Sequence, residues 1–163
     1  MKNNMNQNSK PEKLNNMKRY LLIFAMLLGA VCSWGQDLSK DFVVIDKSCP
    51  NSPQLMAQYK GQSNLLVLAL IEVMPPNQIA TALIGTKVTD LHIFVMGKPG
   101  SMVFGNLALN SANIEAYAVP LATWAAHVSG KVVIHNSDVF LGTEGLQLKA
   151  KFEQLSGLTF IVQ

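Results

Sequence analysis

The sequence predicts an α/β domain: a parallel sheet of about five strands, ordered 2-1-3-4-5, with helices on both faces. Three observations carry this. Apolar strand-like runs alternate with helical patterns along the chain. The run from Leu65 to Ile71 lacks a polar alternation, as a strand buried on both faces does. Short connections with right-handed crossovers then favour that strand order.

Each element has its own signal. Phe42-Val43-Val44-Ile45-Asp46 reads as the first strand. Ser52 is the expected cap of a helix with Pro53 at its first position and Gly61 beyond its end. Leu65 to Ile71 is the second strand, Asn77 to Ile84 a short helix closed by Gly85, and Asp90 to Met96 the third strand. Met102-Val103-Phe104 and Leu107-Ala108-Leu109 suit a hairpin about Gly105-Asn106, with a type I′-like turn. Ser111 opens what reads as the longest helix. Its apolar stripe is Ile114, Tyr117, Ala118, Leu121, Trp124, Ala125 and Val128. Pro120 should kink or split it, and Gly130 stops it. Lys131 to Ser137 is the fourth strand. Thr143 is the expected cap of the last helix, with Leu148, Phe152 and Leu155 facing the core and Gly157 at its end. Leu158 to Val162 is the fifth strand.

The N-terminal residues are of another kind. Residues 1–16 form a polar, Asn-rich leader, or translation begins at Met17. Residues 17–36 have the pattern of a secretory signal peptide: Lys18 and Arg19, then an apolar run from Tyr20 to Val31, then Ser33 and Gly35 before a cleavage point at Gln36. The run is shorter than the about 20 residues that span a bilayer. The expected mature chain, residues 37–163, is a single domain located outside the cell, in the periplasm or at the cell surface. It holds eight lysines, no arginine and nine acids, a net charge of −1. A near-neutral chain without arginine lacks the basic footprint of a nucleic-acid binder. Cys49 is its one cysteine, so an intrachain disulfide is excluded. No CxxC, HExxH or His/Cys cluster points to a metal, and no motif calls for a cofactor.

Functional groups in open α/β sheets gather beyond the carboxyl ends of strands. Two such ends stand out. One is His92-Ile93-Phe94-Val95-Met96-Gly97-Lys98-Pro99-Gly100, and the other is Val132-Val133-Ile134-His135-Asn136-Ser137-Asp138. Together with Ile45-Asp46, Val103-Phe104-Gly105 and Leu155-Ser156-Gly157, these segments resemble a bacterial domain of unknown function. That domain is found near the N-terminus of large secreted, adhesin-like repeat proteins. It is similar in turn to caspase-like, clan CD peptidases, whose core strand order flavodoxin-like folds also share. The resemblance implies a strand ending in Ser-His-Gly and another ending in Tyr-Gly-Cys-Asp. Here Met96 stands at the His position, Asn136 at the Gly and Ser137 at the Cys.

The chemistry changes with those residues. A thiolate nucleophile needs a base or a cation beside it. A thioether cannot move a proton, and a serine hydroxyl is weak without a base. The expectation is a noncatalytic, caspase-like domain, a pseudoenzyme that binds a peptide, a glycan or another envelope protein. Its degenerate active-site cleft would consist of Met96, Gly97, His135, Asn136, Ser137 and Asp138. The alternative is a residual serine hydrolase using Ser137 with His135, two residues apart on one strand face. His92 is expected to be a buried, hydrogen-bonded histidine near the far end of the strand, about 13 Å from Met96. His127 should interact with the helix dipole. Cys49, in a Ser-Cys-Pro turn, reads as a small half-buried residue, and the Gly97-Lys98-Pro99-Gly100 segment as an exposed turn.

Overall fold

A computed structural model of the chain describes residues 40–62, 64–68 and 74–163. The expected leader and signal peptide lie outside the described residues, as does the later part of the expected second strand. In chain order the elements are β1 (Phe42–Asp46), α1 (Ser52–Gln58), β2 (Leu65–Leu68), α2 (Pro75–Leu83), β3 (Leu91–Phe94), β4 (Met96–Lys98), β5 (Ser101–Phe104), β6 (Leu107–Asn110), a 3₁₀ turn (Ile114–Tyr117), α3 (Ala118–Ala125), β7 (Lys131–Ile134), α4 (Gly142–Ser156) and β8 (Thr159–Val162).

Five strands pair in the order β2-β1-β3-β7-β8, every pair parallel. This is the predicted order. Side chains alternate between the two faces of such a sheet. One set, Phe42 and Val44, Leu91 and Ile93, Val132 and Ile134, and Phe160, packs with Ile79 and Leu83 of α2, Leu121 and Trp124 of α3, and Leu148 and Phe152 of α4. The other set, led by Val43 and Ile45, packs with Leu55 of α1 and with Tyr59 just beyond its end, and half-buried Leu65 and Phe94 lean on it. Among the described residues, one face therefore carries three helices and the other a single short one.

Several elements differ from expectation. β2 is an edge strand, and Leu65, Leu66 and Val67 are half-buried rather than covered on both faces. The residue preceding α1 is Asn51, and the Ser52 hydroxyl donates instead to the Lys47 carbonyl at 3.1 Å. Thr143 lies inside the first turn of α4, which follows Leu141 without a side-chain cap. Among the described residues the longest helix is α4, with 15 residues. The stretch after Ser111 divides into the 3₁₀ turn and α3. Pro120 is the third residue of α3, where a missing N–H costs no bond within the helix. The buried stripe survives in Ile114, Leu121, Trp124 and Val128.

β4, β5 and β6 form a separate antiparallel sheet. Its hairpin turns at Gly105-Asn106, as expected. Gly105 has φ 54° and no other residue type among those described has a positive φ, so the signs are those of a type II′ turn rather than I′. Asp46, at the end of β1, accepts the Gly105 N–H at 2.7 Å and ties this hairpin to the main sheet. The two signature strands end earlier than predicted. β3 stops at Phe94, and Met96 opens β4 because its backbone pairs with Val103 of the hairpin. β7 stops at Ile134, and Ser137 lies in the turn beyond.

Candidate functional site

The chain passes from β1 to β2 in one direction across the sheet, and from β3 to β7 and β8 in the other. The switch point thus falls between β1 and β3, where open α/β sheets place their ligands. A cleft of about 230 Å³ opens there. Cys49, Pro50 and Asn51, which follow β1, form one wall. Phe94, Val95, Met96 and Gly97, from the end of β3 into β4, form the second. His135 and Asn136, which follow β7, close the third.

Of the residues expected in the cleft, Met96, Gly97, His135 and Asn136 line it, whereas Ser137 and Asp138 do not. The Ser-Cys-Pro turn was missed, and so were Phe94 and Val95. The signal for the turn was present in the predicted strand order, since 2-1-3 already places the switch beside the first strand.

Each wall is held for a local reason. Met96 exposes 42% of its surface at the cleft. A Cβ on Gly97 would sit 2.3 Å from Cγ2 of Val139 and 2.8 Å from the Ser101 carbonyl oxygen, so only glycine lets β4 pass between them. The Asn136 amide donates to the Val95 carbonyl at 3.2 Å, and its oxygen accepts the Asp138 N–H at 3.1 Å. Asn136 thereby braces the loop after β7 against the one after β3. Cys49 is buried, not half-buried, at 6% exposure. Burial first, and the charge of Asp46 second, push its thiol up to about 11. That thiol is protonated and a poor nucleophile near neutrality.

His135 is the most connected group of the cleft. Its N–H donates to the Ile93 carbonyl at 2.9 Å. Its ring lies flat on Phe94, centroids 3.9 Å apart and planes 7° apart, and Phe94 in turn meets Tyr59 at 5.8 Å. Its Nε2 is 3.0 Å from Nδ1 of His92, and Nε2 of His92 is 3.6 Å from the Asp41 carboxylate. Burial, then the neighbouring His92, push the His135 imidazole down to about 4, so it is neutral at pH 7. His92 is therefore largely buried and bonded, as expected, but it is not remote from the site. His135 stands past the end of β7, level with Phe94, and its ring reaches back to His92.

Ser137 and His135 share no hydrogen bond. The Ser137 hydroxyl is exposed and donates to Asp138 at 3.4 Å. His127, at the end of α3, does more than face a helix dipole: its Nδ1 lies 3.0 Å from the Thr86 carbonyl and ties α3 to the loop after α2. Gly97 and Lys98 belong to β4, and only Pro99 and Gly100 form the turn. Among the described residues, no group of three His, Cys, Asp or Glu side chains is placed to hold a metal, and no helix is long and apolar enough to cross a membrane.

A five-stranded parallel sheet with helices on both faces and a cleft at its switch point, with a small antiparallel sheet beside it, defines residues 40–163 as an α/β fold. Within that class the chain belongs to the family described as Domain of unknown function (DUF4347), whose model matches residues 42–162. No curated protein matches the chain, and neither does any solved structure.

Proposed function

We propose that this chain is a secreted, noncatalytic domain of caspase-like type, a pseudoenzyme whose switch-point cleft binds a partner at the bacterial cell surface. One observation carries the reading. At the position where the resemblance implies a catalytic histidine, the cleft presents the exposed thioether of Met96. A flexible, polarizable side chain suits binding an apolar group and cannot act as a base. The arrangement around Ser137 supports the same conclusion. Its hydroxyl lies outside the cleft lining and bonds its own neighbour, while His135 is engaged with His92. Export rests on the signal-peptide pattern of residues 17–36, and attachment to surface assembly on the resemblance to adhesin-associated domains.

Two measurements test this. The protein should show no peptidase activity and no labelling by an active-site serine probe. Labelling of Ser137 that disappears in Ser137→Ala would replace the pseudoenzyme with a serine hydrolase. N-terminal sequencing of exported protein should find cleavage before Gln36, and an intact Met1 or Met17 on cytosolic protein would remove the secreted location.

A further inference from the structure

Beside the Asn51 and Asn136 amides, the cleft presents one ring acceptor, at His135. The Asp41 carboxylate beside Nε2 of His92 favours a proton on that nitrogen. In that neutral tautomer His92 has only a lone pair at Nδ1 to offer, and His135 donates its Nε2–H across the 3.0 Å contact. That leaves Nδ1 of His135 without a proton. No hydrogen bond of the described residues reaches it, although the ring lines the cleft. The depressed basicity of His135 agrees with a neutral ring.

The rest of the lining is uncharged. Asp, Glu, Lys and Arg are absent from it, and the apolar Pro50, Phe94, Val95 and Met96 share it about equally with polar groups, among them the Asn51 and Asn136 amides. Its volume of about 230 Å³ lies below the range of drug-sized pockets, which begins at about 300 Å³, and suits one ring-bearing side chain. The face of Phe94 is covered by His135 on one side and Tyr59 leans on the ring as well, so Phe94 offers no open platform for stacking a sugar. An aromatic ring can instead lie against the Met96 sulfur, a favourable contact.

We infer that the cleft recognises an aromatic side chain of a partner protein that carries its own hydrogen-bond donor, a tryptophan indole or a tyrosine phenol, with that donor directed at Nδ1 of His135. The inference rests on reading the cleft as a binding site and adds what it selects. Asp41 and His92 are positioning residues: they hold the His135 tautomer and touch no ligand.

The test uses the full chain, ¹⁵N-labelled at histidine, with indole, 1-methylindole and maltose as probes. In the free protein His135 should be the Nε2–H tautomer. Indole should shift the Nδ1 resonance of His135 and the methyl of Met96. 1-Methylindole, which has the same ring and no donor, should bind about tenfold more weakly, because it leaves the acceptor unpaired. His135→Phe should bind the two indoles alike. Asp41→Asn should weaken the preference for indole without moving the binding of 1-methylindole. An Nδ1–H tautomer in wild type overturns the inference without any variant being needed. Equal binding of the two indoles also overturns it, yet leaves the cleft a binding site. Shifts caused by maltose alone replace the aromatic partner with a glycan. A cleft silent to all three probes overturns the inference and removes support for the binding reading itself.

Discussion

The two faces of the main sheet are built differently. The face under α2, α3 and α4 is apolar throughout, and Trp124, Phe152, Phe160, Leu91 and Ile93 are almost completely buried in it. The face under α1 has a small core of Val43, Ile45, Leu55 and Tyr59, and beside it lie His92, His135 and the cleft. Buried polar groups are tolerated only with partners or access to water. The thinly covered face supplies both, so the chemistry collects there and stability collects on the other.

Large-to-small substitutions give the widest contrast. Trp124→Ala removes a side chain 1% exposed, whose indole N–H reaches the Pro76 carbonyl at 3.3 Å. It should cost about 3–5 kcal/mol in chemical denaturation. Phe94→Ala, on the thin face, should cost less than half as much, since Phe94 is only half-buried. Equal losses would break the comparison.

A smaller effect belongs to the backbone under the helix-rich face. A Cβ on Gly145 would lie 2.3 Å from the carbonyl carbon of Phe140, a main-chain atom that cannot rotate away. Gly145→Ala should therefore destabilise by about 1–3 kcal/mol. A denaturation midpoint equal to wild type would mean that the start of α4 yields freely.

Between about pH 4 and 6.5 the thin face should carry a pH dependence through His135. His135 is held at about 4 in the folded chain against 6.5 ordinarily. Between those values the unfolded chain takes up a proton that the folded one refuses. Its contribution to stability is thus complete above about 6.5 and falls as the pH drops to about 4. His135→Phe should flatten that part of the slope, measured as the difference from wild type in urea unfolding across the window. An unchanged slope would show that His135 already titrates normally.

Cys49 should resist iodoacetamide near neutral pH, because its thiol is buried and held at about 11. Peptide mapping should find it alkylated only after unfolding, and fast labelling of folded protein would show that the cleft opens to it. The smallest effect is expected at Ser137. It is exposed in a turn, so Ser137→Ala should change stability by less than about 0.5 kcal/mol. A larger loss would give the residue a structural part that its single contact with Asp138 does not suggest.

Local pattern carried the strand order, the hairpin about Gly105-Asn106, the buried stripe of Ile114, Leu121, Trp124 and Val128, and the closing glycine of α4 at φ 74°. These follow from hydrophobic period and turn chemistry, which act between residues close in the chain. Strand ends were less legible. Met96 reads as a continuation of β3 until the hairpin offers its backbone another partner. The cap at Ser52 failed because its hydroxyl has a competing local bond to Lys47, and Thr143 falls inside the helix rather than before it. Four of the nine cleft-lining residues, Met96, Gly97, His135 and Asn136, were named from strand-end signatures alone. Tertiary structure decided the rest. It brought the turn at Cys49 against Phe94 and set His92 beside His135, 43 residues apart. Such contacts depend on the register of neighbouring parallel strands, and that register is set by the packing of whole faces rather than by any short stretch of sequence.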